Sequence, residues 1–322
     1  MKKKYTKRKY VKNRKTKKNK KKKKKTTKGG DPENKKIFIK DNCAPKKNSE
    51  VLDFTCYTND ALQKMKISWN KRHPDQKINH TNPRLIWNDI KSYMRNTCNR
   101  ESCWLKQTAI NSGIDKNIMD YTFAPETPLK WKDEPNTWLN SVDIGKVMKQ
   151  YEKKYSNFQF IGPSPINWDT KEDKKCILEE LCNFNLINYL KKRHTKIGII
   201  FNLDPHYKSG SHWVMLFINC QLTTDKPDGE IYYFDSYGNN SVKVPASILR
   251  FVKKVQEQAR KLNKQYTFDY NKRRHQYGHS ECGMYCLFMI IQLLKNKSFK
   301  QLNNKRITDE GVWNCRKKYF NI

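Results

Sequence analysis

Ile197–Leu203 and His212–Asn219 (HWVMLFIN) are apolar almost without a break, and Ile231–Asp235 (IYYFD) follows after a polar turn containing Pro227, Asp228 and Gly229. A run with no polar face has to be covered on both sides, so His212–Asn219 reads as a central strand. The segments that could cover it are present. Residues 176–190 are rich in Leu and Ile, 245–263 alternate as an amphipathic helix, and Cys282–Leu294 is a strongly apolar helix. Trp138-Leu139-Asn140 opens another helical stretch through Val142, Ile144, Val147, Met148 and Tyr151, and QYTFDY at 265–270 adds a strand. The expected architecture over residues 126–322 is α+β, an antiparallel sheet flanked by helices.

Two further regions precede this unit. Residues 51–125 read as a helical accessory region, with Leu62, Met65, Ile67 and Trp69, then Leu85, Ile86, Ile90 and Met94, near helical spacing. Pro83 suits a helix start and Asn82 its cap. Residues 1–50 read as a disordered Lys-rich tail and linker, since they hold too little apolar surface to offset ordering entropy. Residues 1–28 carry 18 Lys or Arg and no acid, so half of the net charge of +36 lies there and the remaining 294 residues carry +18. Tail and body alike would attract polyanions: nucleic acid, an anionic membrane surface or an acidic protein. A nuclear localisation signal is a further reading of the tail.

Apolar runs are too short for a transmembrane helix, and the N-terminus is too charged for a secretory signal, so secretion is not expected. The ten cysteines are irregularly spaced and read as reduced thiols in a cytosolic or nuclear setting. Cys56, His73, His80, Cys98 and Cys103 invite a zinc site, but their spacing matches no recognised finger. Packed thiols are the expectation there, with no metal.

One thiol has a setting suited to chemistry. Cys282 stands where the polar loop Tyr277-Gly278-His279-Ser280-Glu281 meets an apolar helix, whose positive end favours a thiolate. Gly283 leaves room for a substrate to approach the sulfur, whereas Cys286 lies one turn deeper and reads as packed. Thiol catalysis also needs a base with an orienting partner. His212 begins one strand and Asp235 ends the next, so an antiparallel hairpin brings them to the same end of the sheet. Gln276 offers an amide to an oxyanion, alongside the Cys282 N–H. Taken singly, each of these residues is more often ordinary packing or turn structure; their order and contexts carry the reading.

At these residues the chain resembles the papain-like cysteine proteases of the SUMO-protease and adenovirus-endopeptidase type, which include proteases of large DNA viruses. The matching pieces are Trp138-Leu139-Asn140, His212-Trp213, Phe234-Asp235-Ser236 and Gln276 through Cys282-Gly283-Met284-Tyr285. The resemblance implies a triad of His212, Asp235 and Cys282, with Gln276 in the oxyanion hole. It also places Trp138 and Trp213 along a tunnel that admits only Gly-Gly, since flat indoles can exclude larger side chains. Ser141 and Glu281 depart from the modifier proteases, which carry acidic residues at the corresponding positions, Asp at the second. Together with the basic tail they point to the proteases of giant viruses.

The implied activity is cleavage of viral capsid or core precursors after Gly-Gly-type sites, in the virion or host cytoplasm, with the nucleus as a further compartment. No cofactor is needed for the chemistry, although DNA or a peptide could serve as activator, and the Gly29-Gly30-Asp31 junction could itself be a cleavage site. The alternatives are an isopeptidase removing SUMO or ubiquitin, and a non-catalytic nucleic-acid-binding protein.

Overall fold

A computed structural model describes residues 37–109, 116–220, 228–238 and 243–321. Residues 1–36, including Gly29-Gly30-Asp31, and residues 221–227 of the inter-strand turn lie outside the described residues. The strands are β1 (Phe158–Pro165), β2 (Lys171–Glu172), β3 (Lys175–Cys176), β4 (Lys196–Asn202), β5 (Trp213–Asn219), β6 (Glu230–Phe234) and β7 (Thr267–Tyr270). Five of them form one sheet in the order β1-β4-β5-β6-β7, and β2 and β3 form a separate two-residue ribbon. The fold is α+β, as the apolar runs imply, but the sheet is mixed rather than antiparallel. β4, β5 and β6 pair antiparallel, while β1 joins β4 and β7 joins β6 in parallel.

The continuous apolar character of β5 has a direct structural cause. Successive side chains of a strand point to opposite faces. Trp213, Met215 and Phe217 enter the core shared with the helices Ser141–Lys154 and Cys282–Leu294. Val214, Leu216 and Ile218 enter the core on the other face, under the helix Ala246–Arg260. β1 has no counterpart in the sequence reading, because Gly162-Pro163-Ser164-Pro165 looks like chain punctuation. As an edge strand it tolerates these residues with a register shift between Ile161 and Ser164. The helix expected over 176–190 is two short ones, Glu179–Cys182 and Leu186–Lys191. The second begins anew where the Asn185 side chain accepts from the Asn188 N–H.

Cysteine pairing corrects the expectation of reduced thiols. Cys43–Cys56, Cys98–Cys103 and Cys176–Cys182 are disulfides, while Cys220, Cys282, Cys286 and Cys315 are buried thiols. Each bridge closes a short local loop, a pattern that irregular spacing along the chain does not reveal. Three of the five side chains considered for zinc are thereby held in disulfides. His73 stacks on Trp69, and His80 lies 3.7 Å from Asp89.

Residues 37–109 and 116–125 gather around Tyr57, Leu62, Met65, Trp104 and Phe123. Asn82 caps the helix Pro83–Met94 through the Arg84 and Leu85 N–H groups, as its position suggests. Ile67 is instead exposed. No helix among the described residues is long and apolar enough to cross a membrane.

Residues 37–50 are held to the rest of the fold by polar contacts. The buried Asp41 carboxylate accepts from the Ser102 N–H (2.7 Å) and hydroxyl (3.0 Å) and from the Asn321 amide (3.0 Å). Asn42 donates its N–H to the Asn321 side chain and its amide to the carbonyls of Lys317 and Phe320. Polar groups at 41, 102 and 321 thus tie the first described residues and the accessory helices to the C-terminal segment. Asn321→Ala strips partners from the buried Asp41 carboxylate and the half-buried Asn42 N–H at once. It is expected to cost about 2–3 kcal/mol, read as a lower urea midpoint at unchanged slope.

Candidate active site

The antiparallel register of β5 and β6 sets Met215 opposite Phe234, so the residues just beyond the two strand ends meet at one edge of the sheet. His212 and Asp235 occupy that edge, with His212 Nε2 2.7 Å from Asp235 Oδ1 and both residues buried. The Cys282 thiol is the other hydrogen-bonding partner of the ring. With Nε2 on the carboxylate, Nδ1 is the nitrogen left for the sulfur. Burial by itself would lower the imidazole pKa. The hydrogen bonds to Asp235 and Cys282, with the negative charge they carry, outweigh it and raise the pKa to about 9.

Cys282 is the first residue of the helix Cys282–Leu294 and is only 1% exposed. The helix start has no side-chain cap, so its leading N–H groups face the site. Gly283 meets the indole of Trp213 and the side chain of Leu139: a Cβ on it would lie 3.3 and 3.2 Å from them. Leu139 is held there by its carbonyl, which accepts from Trp213 Nε1 at 3.0 Å. The two tryptophans are therefore placed differently. Trp213 is buried against the helix that Cys282 opens, whereas Trp138 is 42% exposed and borders a surface hollow with Glu134 and Thr137. Asp143, two residues beyond Ser141, is spent on a capping box with Asn140 at the start of its own helix.

Gln276 is fully buried, and its amide is oriented by Ser236, whose hydroxyl donates to Gln276 Oε1 at 2.6 Å. Its Nε2 donates to the Gly278 carbonyl (2.9 Å) and to Tyr237 Oη (3.2 Å). Both amide protons are thus engaged, and an oxyanion would have to displace one acceptor. Two residues around the site have no place in the sequence reading. Tyr237 stacks on the His212 ring at 4.7 Å, and its N–H donates to Asp235 Oδ1. Asn271 brackets the Asp235 backbone, accepting from its N–H (2.9 Å) and donating to its carbonyl (2.7 Å). Gly238 packs so closely that a Cβ there would fall 2.6 Å from the Asn271 amide. The Asp235-Ser236-Tyr237-Gly238 stretch after an aromatic strand was the available signal for Tyr237; Asn271 had none.

Glu281, noted in the sequence only as a departure, has a definite role in the packing. Its carboxylate forms a two-pronged buried pair with Arg316, at 2.7 and 3.0 Å. Arg316 also donates to the carbonyls of Pro135 and Thr137 and lies over the Trp131 ring. The pair therefore joins the residue before Cys282 to the loop that leads into Trp138 and Leu139. It also draws the carboxylate away from the helix start, where it would compete for the open N–H groups. Arg316→Ala would leave the buried Glu281 charge without its counter-ion and would strip a donor from the Pro135 carbonyl. It is expected to cost about 3–5 kcal/mol in chemical denaturation, and more than Glu281→Gln.

Known proteins resemble this chain in sequence and in fold. Residues 189–322 match the Ulp1 protease family, C-terminal catalytic domain. A protein of Acanthamoeba polyphaga mimivirus named "Putative thiol protease" is 27% identical over 298 residues, covering 86% of this chain and 92% of that protein. African swine fever virus proteins named cysteine protease and SUMO-1 cysteine protease are 26% identical over 235 residues, covering 70% of this chain and 84% of theirs. The crystal structure of the African swine fever virus protease superposes with a TM-score of 0.61 at 21% identity, covering 87% of this chain and 96% of that one, and shares the fold. The chain is a cysteine peptidase, and its residues 189–322 are similar to the catalytic domain of the Ulp1 protease family.

Proposed function

We propose that the chain is an endopeptidase that cleaves viral precursor proteins after Gly-Gly-type sites, with Cys282 as nucleophile, His212 as acid–base and Asp235 as its orienting partner. The observation that carries this reading is the His212 ring, held between the Asp235 carboxylate and a thiol at an uncapped helix start. The narrow setting of that thiol supports the preference for glycine. Cys282 is nearly buried, and Trp213 and Leu139 already crowd the adjacent Gly283. A chain reaching the sulfur must be slender, and Gly-Gly has the smallest cross-section available.

In the reaction the sulfur attacks the carbonyl carbon and the imidazolium gives its proton to the leaving amine, which departs as the C–N bond breaks. Water, deprotonated by the now neutral imidazole, then attacks the thioester carbonyl, releases the acyl group as a carboxylic acid and restores the thiolate–imidazolium pair. The developing oxyanion takes the Cys282 N–H. Gln276 supplies a second donor when the oxyanion displaces Tyr237 Oη, the longer of its two contacts.

The test is purified protein on peptides of the form Gly-Gly-Xaa beside matched Ala-Ala and Leu-Leu peptides. Cleavage after Gly-Gly that disappears in Cys282→Ala is expected; equal cleavage by Cys282→Ala would refute the assignment. In an isopeptidase removing SUMO or ubiquitin, Cys282 would instead be labelled far faster by the whole modifier bearing a C-terminal electrophile than by a Gly-Gly peptide electrophile. The relatives named SUMO-1 cysteine protease give that arm its reason.

The pH profile follows from the imidazole. Its protonated form persists up to about pH 9, so kcat/KM for the thiolate–imidazolium pair is expected to fall above that pH. Asp235 stabilises the cationic ring, so Asp235→Asn should move the alkaline limb down by about one to three pH units and lower the maximum rate. An unmoved alkaline limb in that variant would count against the pairing.

A further inference from the structure

The surface beyond the His212 ring is strongly cationic. Tyr237 stacks on the imidazole at 4.7 Å, and the Arg274 guanidinium lies 5.2 Å from the Tyr237 ring and 4.8 Å from that of Tyr277. Arg306 lies 4.1 Å from the Tyr277 ring. Lys272, Arg273 and Arg274 are consecutive and exposed, as are Lys305, Arg306 and Tyr277. Asp309 stands among them: it accepts from the Tyr277 and Gly278 N–H groups and lies 3.8 Å from Arg306. Among the described residues no carboxylate pairs with Lys272, Arg273 or Arg274.

The chemistry says which part of a substrate meets this surface. His212 must hand its proton to the leaving nitrogen, so the chain on the leaving side of the scissile bond passes over the imidazole. Groups layered on that ring border the leaving segment rather than the acyl segment. The two ring separations place Arg274 within about 10 Å of the imidazole. An extended chain covers ~3.3–3.6 Å per residue, so Arg274 lies level with the second or third residue after the cut.

We propose that Lys272, Arg273, Arg274 and Arg306 form a subsite for acidic residues on the C-terminal side of the scissile bond, so that the substrate carries Asp or Glu within about three residues after the cut. This rests on the cleavage reading above and adds the character of the leaving segment. Tyr237 and Tyr277 give the subsite its form: flat rings hold the guanidinium groups of Arg274 and Arg306 at the rim, where Arg274 turns its Nε–H to the Gln276 carbonyl and keeps its outer N–H groups for a carboxylate, while Arg306 shares its charge with Asp309 at 3.8 Å. Nucleic acid is the competing partner for exposed cations. The protein segment is favoured because the cations are layered onto the ring that serves the leaving amine.

The experiment compares kcat/KM for three peptides identical through Gly-Gly-Ala and continuing as Glu-Glu, Gln-Gln or Lys-Lys. Exposed pairs at this distance change rates by a factor of about two to five each. The Glu-Glu peptide is expected to exceed the Lys-Lys peptide about ten-fold at low salt, and the ratio should shrink at 0.5 M salt. Arg274→Glu should reduce or invert the ratio, and Arg274→Lys should retain most of it. Equal rates for the three peptides would overturn the subsite while leaving Gly-Gly cleavage intact. A preference unchanged in both Arg274→Glu and Arg273→Glu would also overturn it. Equal rates combined with retention of a short DNA duplex would reassign the cations to nucleic acid. Failure of all three peptides would overturn the cleavage reading itself, and the subsite with it.

Discussion

The helix Cys282–Leu294 buries eleven of its thirteen residues, and everything at the site depends on how it is held. A helix apolar on all sides gains the same burial at many rotations about its axis, so hydrophobicity alone cannot aim Cys282 at His212. Three specific contacts do so. Gly283 allows Leu139 and Trp213 to approach where any other residue would intrude. Glu281 is clamped by Arg316. One turn on, the Tyr285 hydroxyl bonds the Ile307 carbonyl and the Asp309 carboxylate. Apolar packing supplies the stability, and these contacts supply the rotation.

The same distinction explains what could be read from the sequence. β4, β5 and the helix Cys282–Leu294 were legible because continuous apolar runs demand burial, whatever their partners. His212 and Asp235 were legible as a pair because hairpin arithmetic needs only two strand ends and the turn between them. β1 was not, since Gly and Pro at its end mimic a loop and its pairing with β4 is parallel and non-local. Arg316 and Asn271 were equally hidden. Each reaches the site from a distant point in the chain, Arg316 to Glu281 across 35 residues and Asn271 to Asp235 across 36. Nothing in a lone Arg or Asn announces such a partner. Disulfides were misjudged for a related reason, since whether two thiols meet is settled by the fold around them.

The edge of the sheet that carries the site is unusually polar for a buried region, and its groups are matched one to another. Asp235 takes the His212 ring and the Tyr237 N–H, while its backbone is bracketed by Asn271. Ser236 holds the Gln276 amide through its hydroxyl, and its carbonyl accepts the N–H groups of His275 and Gln276. A buried polar group without a partner costs more than its hydrogen bond is worth when made, so such a network tolerates few arrangements. Rigidity of this kind serves acyl transfer, because donors aimed in advance need not reorganise as charge develops.

The loop between Gln276 and Cys282 shows how far that rigidity extends. Its entry is pinned to Ser236, its middle by Asp309 through the Tyr277 and Gly278 N–H groups, and its exit by the Glu281–Arg316 pair. Only Ser280 and His279 lie between the last two anchors. A loop fixed at three points cannot swing as a lid, so access to Cys282 is governed by the opposite wall. That wall is the Trp138-Leu139 segment, and it is fastened by the Leu139 carbonyl to Trp213 and by Arg316 to Pro135 and Thr137. Arg316 therefore holds both walls of the cleft at once. The spacing of the two segments beside Cys282 is thus set jointly by that guanidinium and by the Leu139–Trp213 hydrogen bond, which ties the C-terminal segment to the surroundings of the thiol.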